Sequence, residues 1–113
     1  MTVQDLVADL GLQVHAAGRM EREVTGGYTS DLLSCVMAGA KAGNVWITLQ
    51  AHPNVVAVAS LLDLAAVVVS EGVVPDMETI ERAQENGVTV LSSPATSYAL
   101  VARLATLGIP PGA

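Results

Sequence analysis

The stretch Glu23-Val24-Thr25-Gly26-Gly27-Tyr28-Thr29-Ser30-Asp31 holds the residues of this chain best suited to binding a ligand. Its two adjacent glycines stand between the end of an apparent strand and the start of an apolar helix over Leu32 to Ala38. Glycine lets a backbone take positive φ, or lets a ligand or second chain approach closely. Ser30 or Asp31 can cap the helix, whose first amides lack intrahelical partners and carry partial positive charge. A strand, a glycine turn and a helix start make a small site for an anion or nucleotide. In open parallel sheets ligands gather beyond the carboxyl ends of the strands. Strand ends read from the pattern add Thr48, Gln50, His52 and Asn54, then Ser70 and Glu71, then Ser92 and Ser93. The ligand-binding candidates are Thr25, Gly26, Gly27, Ser30, His52 and Asn54. Turns and helix caps draw on the same residue types.

Catalysis has less to work with. His52 precedes Pro53 and Asn54 at a helix start; as a base it needs an orienting partner and a nucleophile, and none is identifiable. Asp31 reads as a helix cap. Cys35, in an apolar helix without a basic neighbour, reads as a buried core thiol. Trp46 and Tyr98 read as packing residues with a polar tip near the surface. There is no Walker phosphate loop, G-x-S-x-G elbow, H-E-x-x-H or C-x-x-C. Gly26-Gly27 lacks the third glycine and the spacing of a dinucleotide fingerprint. His15, His52 and Cys35 lack metal-ligand spacing. No catalytic residue, metal or cofactor is expected.

The elements that position these residues follow from periodicity. Val3, Leu6, Val7 and Leu10 recur at the helical period, with Thr2 placed to cap and Gly11 to stop that helix. Leu12 to Ala16 reads as a short strand containing His15. A second extended segment, Arg22 to Thr25, leads into the glycine pair and the apolar helix, which ends near Gly39 to Gly43. Asn44 to Gln50 is rich in β-formers, and Ala51-His52-Pro53-Asn54 turns into a third helix, Val55 to Leu62. Ala65 to Val69 is an all-apolar run suited to a central strand covered on both faces. Pro75-Asp76 opens a fourth helix, with Met77, Ile80 and Ala83 inward and Gly87 as its stop. Val88 to Leu91 is the last strand, and Ser93-Pro94 opens a final helix ending at Gly108. The alternation predicts an α/β fold, a small layered domain with a mostly parallel sheet flanked by helices.

The third helix carries a separate signal. Val55 to Leu62 shows no polar face, as a surface helix normally would. Val55, Val58, Leu61 and Leu62 are therefore candidates for a homo-oligomer interface; wedging between neighbouring helices is the alternative.

Composition limits the classes of partner. The 113 residues suffice for one hydrophobic core, but phenylalanine is absent, so valine, leucine, alanine and a few methionines must fill it. A net charge of −6, with basic residues only at Arg19, Arg22, Lys41, Arg82 and Arg103, argues against nucleic acid. The lone Cys35 excludes an intrachain disulfide and fits a reducing compartment. No basic n-region precedes an apolar run at Met1 to Asp5, so no signal peptide is expected. The longest apolar stretch, Val55 to Val69, is broken by Ser60 and Asp63 and falls short of the ~20 residues of a spanning helix. The expected setting is cytoplasmic, away from membranes.

Several of these blocks are similar to the DRTGG domain family. They are Glu23-Val24-Thr25-Gly26-Gly27, Ser30-Asp31-Leu32-Leu33-Ser34, Trp46-Ile47-Thr48-Leu49-Gln50 and His52-x-Asn54-x-x-Ala57-Val58-Ala59. The resemblance runs from about residue 10 to 109. The name-giving motif is incomplete: Glu23 stands for its aspartate and Val24 for its arginine, which removes a possible anion contact. The second block resembles that of stand-alone, single-domain members. The resemblance implies a fold like the N-terminal domain of HPr kinase/phosphorylase and the uridine-nucleotide-binding domain of Mur ligases. Related modules occur in phosphotransacetylases and CBS-domain pyrophosphatases, in regulatory or oligomer-forming roles. The kinase's phosphate-binding loop belongs to a C-terminal domain outside the resemblance, so a kinase label does not transfer. No catalytic residues are established for the domain. The expectation is a single DRTGG-like domain over residues 1–113, acting as a non-catalytic regulatory or interaction module, homodimeric or bound to a protein partner. One alternative is a sensor binding a nucleotide or other anionic metabolite at the Thr25-Gly26-Gly27 edge. A further alternative is an enzyme with an unrecognised site.

Overall fold

The computed structural model describes residues 1–112. An initial helix is followed by strands β1 (Gln13–Ala16) and β2 (Gly26–Thr29), with no helix between them, and from β2 onward helices alternate with β3 (Asn44–Thr48), β4 (Ala66–Val69) and β5 (Val90–Ser92). The helices are α1 (Val3–Leu10), α2 (Leu33–Gly39), α3 (Asn54–Leu62), α4 (Met77–Asn86) and α5 (Ser97–Thr106). The strands form one sheet in the order β1-β5-β4-β3-β2, parallel except for β1. From β2 to β5 the chain steps one strand at a time in one direction. Right-handed crossovers then put α2, α3 and α4 on a single face.

Local chemistry sets the helix limits. Thr2 and Asp5 form a reciprocal capping box on α1, and Gly11 closes it in the left-handed conformation. Asp76 caps α4 by accepting from the amide of Thr79, and Gly87 ends it at φ 66°. The last helix starts later than Ser93-Pro94 suggests: Thr96 is its cap and accepts from the amide of Ala99.

Two apolar layers sandwich the sheet. Trp46, Val67, Val69 and Val90 point towards α2, α3 and α4. Val45, Ile47, Val68 and Leu91 point towards α1 and α5. Every residue of β3, β4 and β5 is buried, as period-two alternation requires once both faces are covered.

Several expected placements change. Arg22 to Thr25 forms no strand; within it only Glu23 makes an isolated bridge, to Thr2, and the glycines open β2 instead of following a strand. Met77 is exposed and Thr79 is turned inward. Tyr98 is exposed, and so is Cys35. The apolar α3 packs against both α2 and α4. Val55 and Val58 are buried in this chain's own core, and Leu62 packs against it. Of the four interface candidates only Leu61 faces out, 70% exposed. The helix is largely apolar because it has a helix on each side, and its open side carries Asn54, Ala57, Ser60 and Leu61.

Truncating Leu91, fully buried between the sheet and α1/α5, is expected to cost about 2–5 kcal/mol on Leu91→Ala. Leu61→Ser should stay within about 0.5 kcal/mol. Urea unfolding midpoints at constant slope separate the two. The carboxyls of Asp5, Asp63 and Asp76 are held below their ordinary value, each chiefly by a hydrogen bond: from the Thr2 amide, the Arg22 guanidinium and the Thr79 amide respectively. Depressed carboxyls stabilise above their unfolded value near ~4 and lose that contribution as pH falls through the lower folded value. Stability should therefore decline on acidification below about pH 4. Asp63→Asn should flatten part of that decline in urea titrations run across the same pH range.

Candidate functional site

The sequence candidates divide between the two ends of the sheet. Gly26 pairs with Asn44 at the amino end of β3, so Thr25, Gly26 and Gly27 lie at that end. Ser30, His52 and Asn54 lie at the carboxyl end. Five residues of β3, at about 3.3 Å each, stand between the two groups.

At the amino end the glycines receive the chain itself. The Gly27 amide donates to the Pro110 carbonyl at 2.9 Å, and the Gly112 amide donates to the Gly27 carbonyl at 2.8 Å. This short tail lies parallel to β2 and covers the first part of its free edge. Neither glycine has positive φ, so the pair does not serve a left-handed turn. A Cβ on Gly26 would stand 3.0 Å from Gly112 Cα and 3.1 Å from the Pro110 oxygen. One on Gly27 would meet nothing nearer than 3.7 Å. Close approach of the tail therefore requires the first glycine, not the second. Thr25 completes the arrangement, its hydroxyl donating to the Ala42 carbonyl and accepting from buried Asn44.

At the carboxyl end the loops are stitched together. Asp31 does not cap α2. Its Oδ1 accepts from the Thr48 hydroxyl and the Leu49 amide, both at 2.9 Å, and so joins the ends of β2 and β3. Ser30 Oγ accepts from the Leu32 amide, and the Ser30 carbonyl accepts from the indole of buried Trp46. His52 Nδ1 accepts from the Asn54 amide at 3.2 Å, which fixes the turn into α3. The Thr79 hydroxyl lies 2.7 Å from the Ala51 carbonyl, linking α4 to the same loop.

Between β4 and β5 the helices that follow leave for opposite faces, the position where open sheets hold ligands. Here protein groups fill it. Glu71, at φ 64°, sends Oε2 to the Ser97 amide at the start of α5, 2.9 Å away. Ser70 and Ser97 share a 2.6 Å hydrogen bond, and the amides of Glu71 and Gly72 donate to the carbonyls of Ala95 and Ser93.

One pairing escapes sequence inspection. His15 Nε2 lies 2.7 Å from Ser92 Oγ, although 77 residues separate them. The register of β1 against β5 slips between Val14 and Ala16, and His15 is the extra residue there. A bulge turns a side chain aside from the regular alternation. A serine–histidine pair is the beginning of a nucleophile, but a base must also be oriented by a third group. No side chain hydrogen-bonds His15 Nδ1 among the described residues. Nor do three or more His, Cys, Asp or Glu side chains cluster to hold a metal ion among them.

A pocket of about 230 Å³ lies between β2, α5 and the tail, with Gly27, Ile47, Val101, Leu104, Ile109 and Pro110 in its wall. Of the sequence candidates, only Gly27 borders it. A second hollow, between α3 and α4, touches Pro53, Ser60, Leu61 and Arg82.

A likeness to a solved structure extends over nearly the whole chain. It is to the CBS and DRTGG domains of the regulatory region of Clostridium perfringens pyrophosphatase, complexed with activator, diadenosine tetraphosphate. The TM-score is 0.75 at 20% identity, covering 96% of this chain and 47% of that one. The fold is shared. This chain spans about half the length of that region. No protein-family model matches the chain, and no curated protein does. The likeness to the CBS/DRTGG region agrees with the α/β fold expected from the sequence, with its mostly parallel sheet and flanking helices.

Gly26→Ala is expected to destabilise by about 1–3 kcal/mol, because only backbone atoms and a fixed amide surround the new methyl. Gly27→Ala should be neutral, or stabilise by under about 1 kcal/mol through the unfolded chain. Unfolding midpoints test both. Faster hydrogen exchange at the Gly112 amide in the Gly26 variant would place the damage at the tail.

Proposed function

We propose that this chain is a non-catalytic regulatory or interaction module, one DRTGG-like unit over residues 1–113. The observation that carries the reading is the likeness of fold, over 96% of the chain, to the regulatory region of a pyrophosphatase. The local chemistry agrees with it. The polar groups at the strand ends bond to one another: Asp31 to Thr48, Glu71 to Ser97, Asp76 to Thr79. Their pattern is that of groups holding loops in place. A cytoplasmic setting belongs to the reading; no helix among the described residues is long and apolar enough to cross a membrane. A homodimer also belongs to it, through a surface other than the buried face of α3.

A second reading is a nucleotide sensor, favoured because the similar region was crystallised with a dinucleotide activator. In this reading the ligand meets Ser30, His52 and Asn54 at the carboxyl end. Thr25, Gly26 and Gly27 then serve the tail.

Thermal melting with and without diadenosine tetraphosphate, ATP and AMP separates the readings. A ligand bound only by the folded state at about 100 times its Kd adds about 2.7 kcal/mol. A melting temperature that rises with nucleotide and loses the rise in His52→Ala supports the sensor. No shift with any of the three leaves the interaction module. Transfer of labelled phosphate from ATP to a protein by the purified chain, absent from a mock preparation, would overturn both.

A further inference from the structure

The carboxyl end of the sheet exposes large apolar side chains to solvent. Leu32 follows β2, Leu49 follows β3, Val74 and Met77 follow β4, and Tyr98 follows β5. All five are exposed, by 42% to 86%. A single exposed leucine needs no explanation, but large apolar residues from each βα loop, or from the first turn of the helix after it, at one end do. The loops that carry them are joined in sequence. Asp31 bonds to the Leu49 amide, the Thr79 hydroxyl to the Ala51 carbonyl and Glu71 to the Ser97 amide. The five side chains therefore stand on one fixed platform.

The charges at this end have one sign. Asp31, Glu71 and Asp76 are exposed on these loops, where His52 is the sole basic type, while Glu78 in the first turn of α4 is paired with Arg82. Arg19, Arg22 and Lys41 lie in loops at the amino end. Arg82 is held by Glu78, and Arg103 donates to the Asp9 carbonyl at the end of α1. A second copy presenting the same face would bring carboxylates against carboxylates. A basic partner would meet complementary charge.

We infer that the carboxyl end of the sheet is a docking surface for a segment of a partner protein carrying apolar side chains flanked by lysine or arginine. The apolar residues supply the contact area, and the carboxylates steer the approach and select against acidic segments. This deepens the interaction-module reading and rests on it.

The test is a titration of the isotope-labelled full chain with a short amphipathic Leu/Lys peptide, against its Leu/Glu counterpart, followed by amide chemical shifts. The Leu/Lys peptide should shift residues 30–33, 49–52, 72–78 and 95–98, with affinity falling as salt rises. The Leu/Glu peptide should shift none of them. The double variant Val74→Ser, Met77→Ser, altered only at exposed positions, should melt as wild type and bind about tenfold more weakly. Shifts confined to another face, equal response to the two peptides, or unchanged affinity of the double variant would each overturn the surface. Concentration-dependent shifts at the same residues without peptide would assign it to a second copy and overturn the partner. Phosphate transfer by the chain would remove the regulatory reading while leaving the peptide titration to judge the surface.

Discussion

Burial on both faces of β3, β4 and β5 governs the arrangement of everything else. A sheet is one backbone thick, so strands with valine, leucine, isoleucine and tryptophan on both sides need helices above and below. Three crossovers in one direction cover the first face and place α3 between two other helices, which is why most of α3 is apolar. The second face is left to α1 and α5, from the beginning and end of the fold. The tail beyond α5 then arrives beside β2, and Gly26 gives it room.

The same constraint separates what was legible in the sequence from what was not. The period of α1, the glycine stops at Gly11 and Gly87, and the apolar run of β4 are local signals, and local physics reproduces them. The pair Gly26-Gly27 reads as a turn because glycine most often serves one, yet Gly26 answers to a backbone some 85 residues further on. The α3 face looked like an interface because a sequence does not show that two helices flank it. Asp31 looked like a cap because aspartate before a helix usually is one, but the end of β3 offered it two donors. The His15–Ser92 pair depends on a register slip with no sequence signature.

The two ends of the sheet have opposite character. The amino end is closed by the chain's own groups: the tail on Gly27, Thr25 on Ala42, and a two-pronged Arg22–Asp63 ion pair. At the carboxyl end polar groups tie the loops to one another, and large apolar side chains stand among exposed carboxylates. A module that works by contact gains from that division, because rigid loops lose little conformational freedom when a partner binds.

Trp46 gives this architecture an optical property. It is the sole tryptophan, wholly buried on the α2/α3 side, and its indole N–H is held 2.9 Å from the Ser30 carbonyl. Ser30 immediately precedes Asp31, which ties the first of the exposed loops to β3. The molecule's ultraviolet emission is therefore coupled to the seating of that loop as well as to the integrity of the core. A change at the carboxyl end that loosens the Ser30 carbonyl registers in the fluorescence while the sheet stays folded.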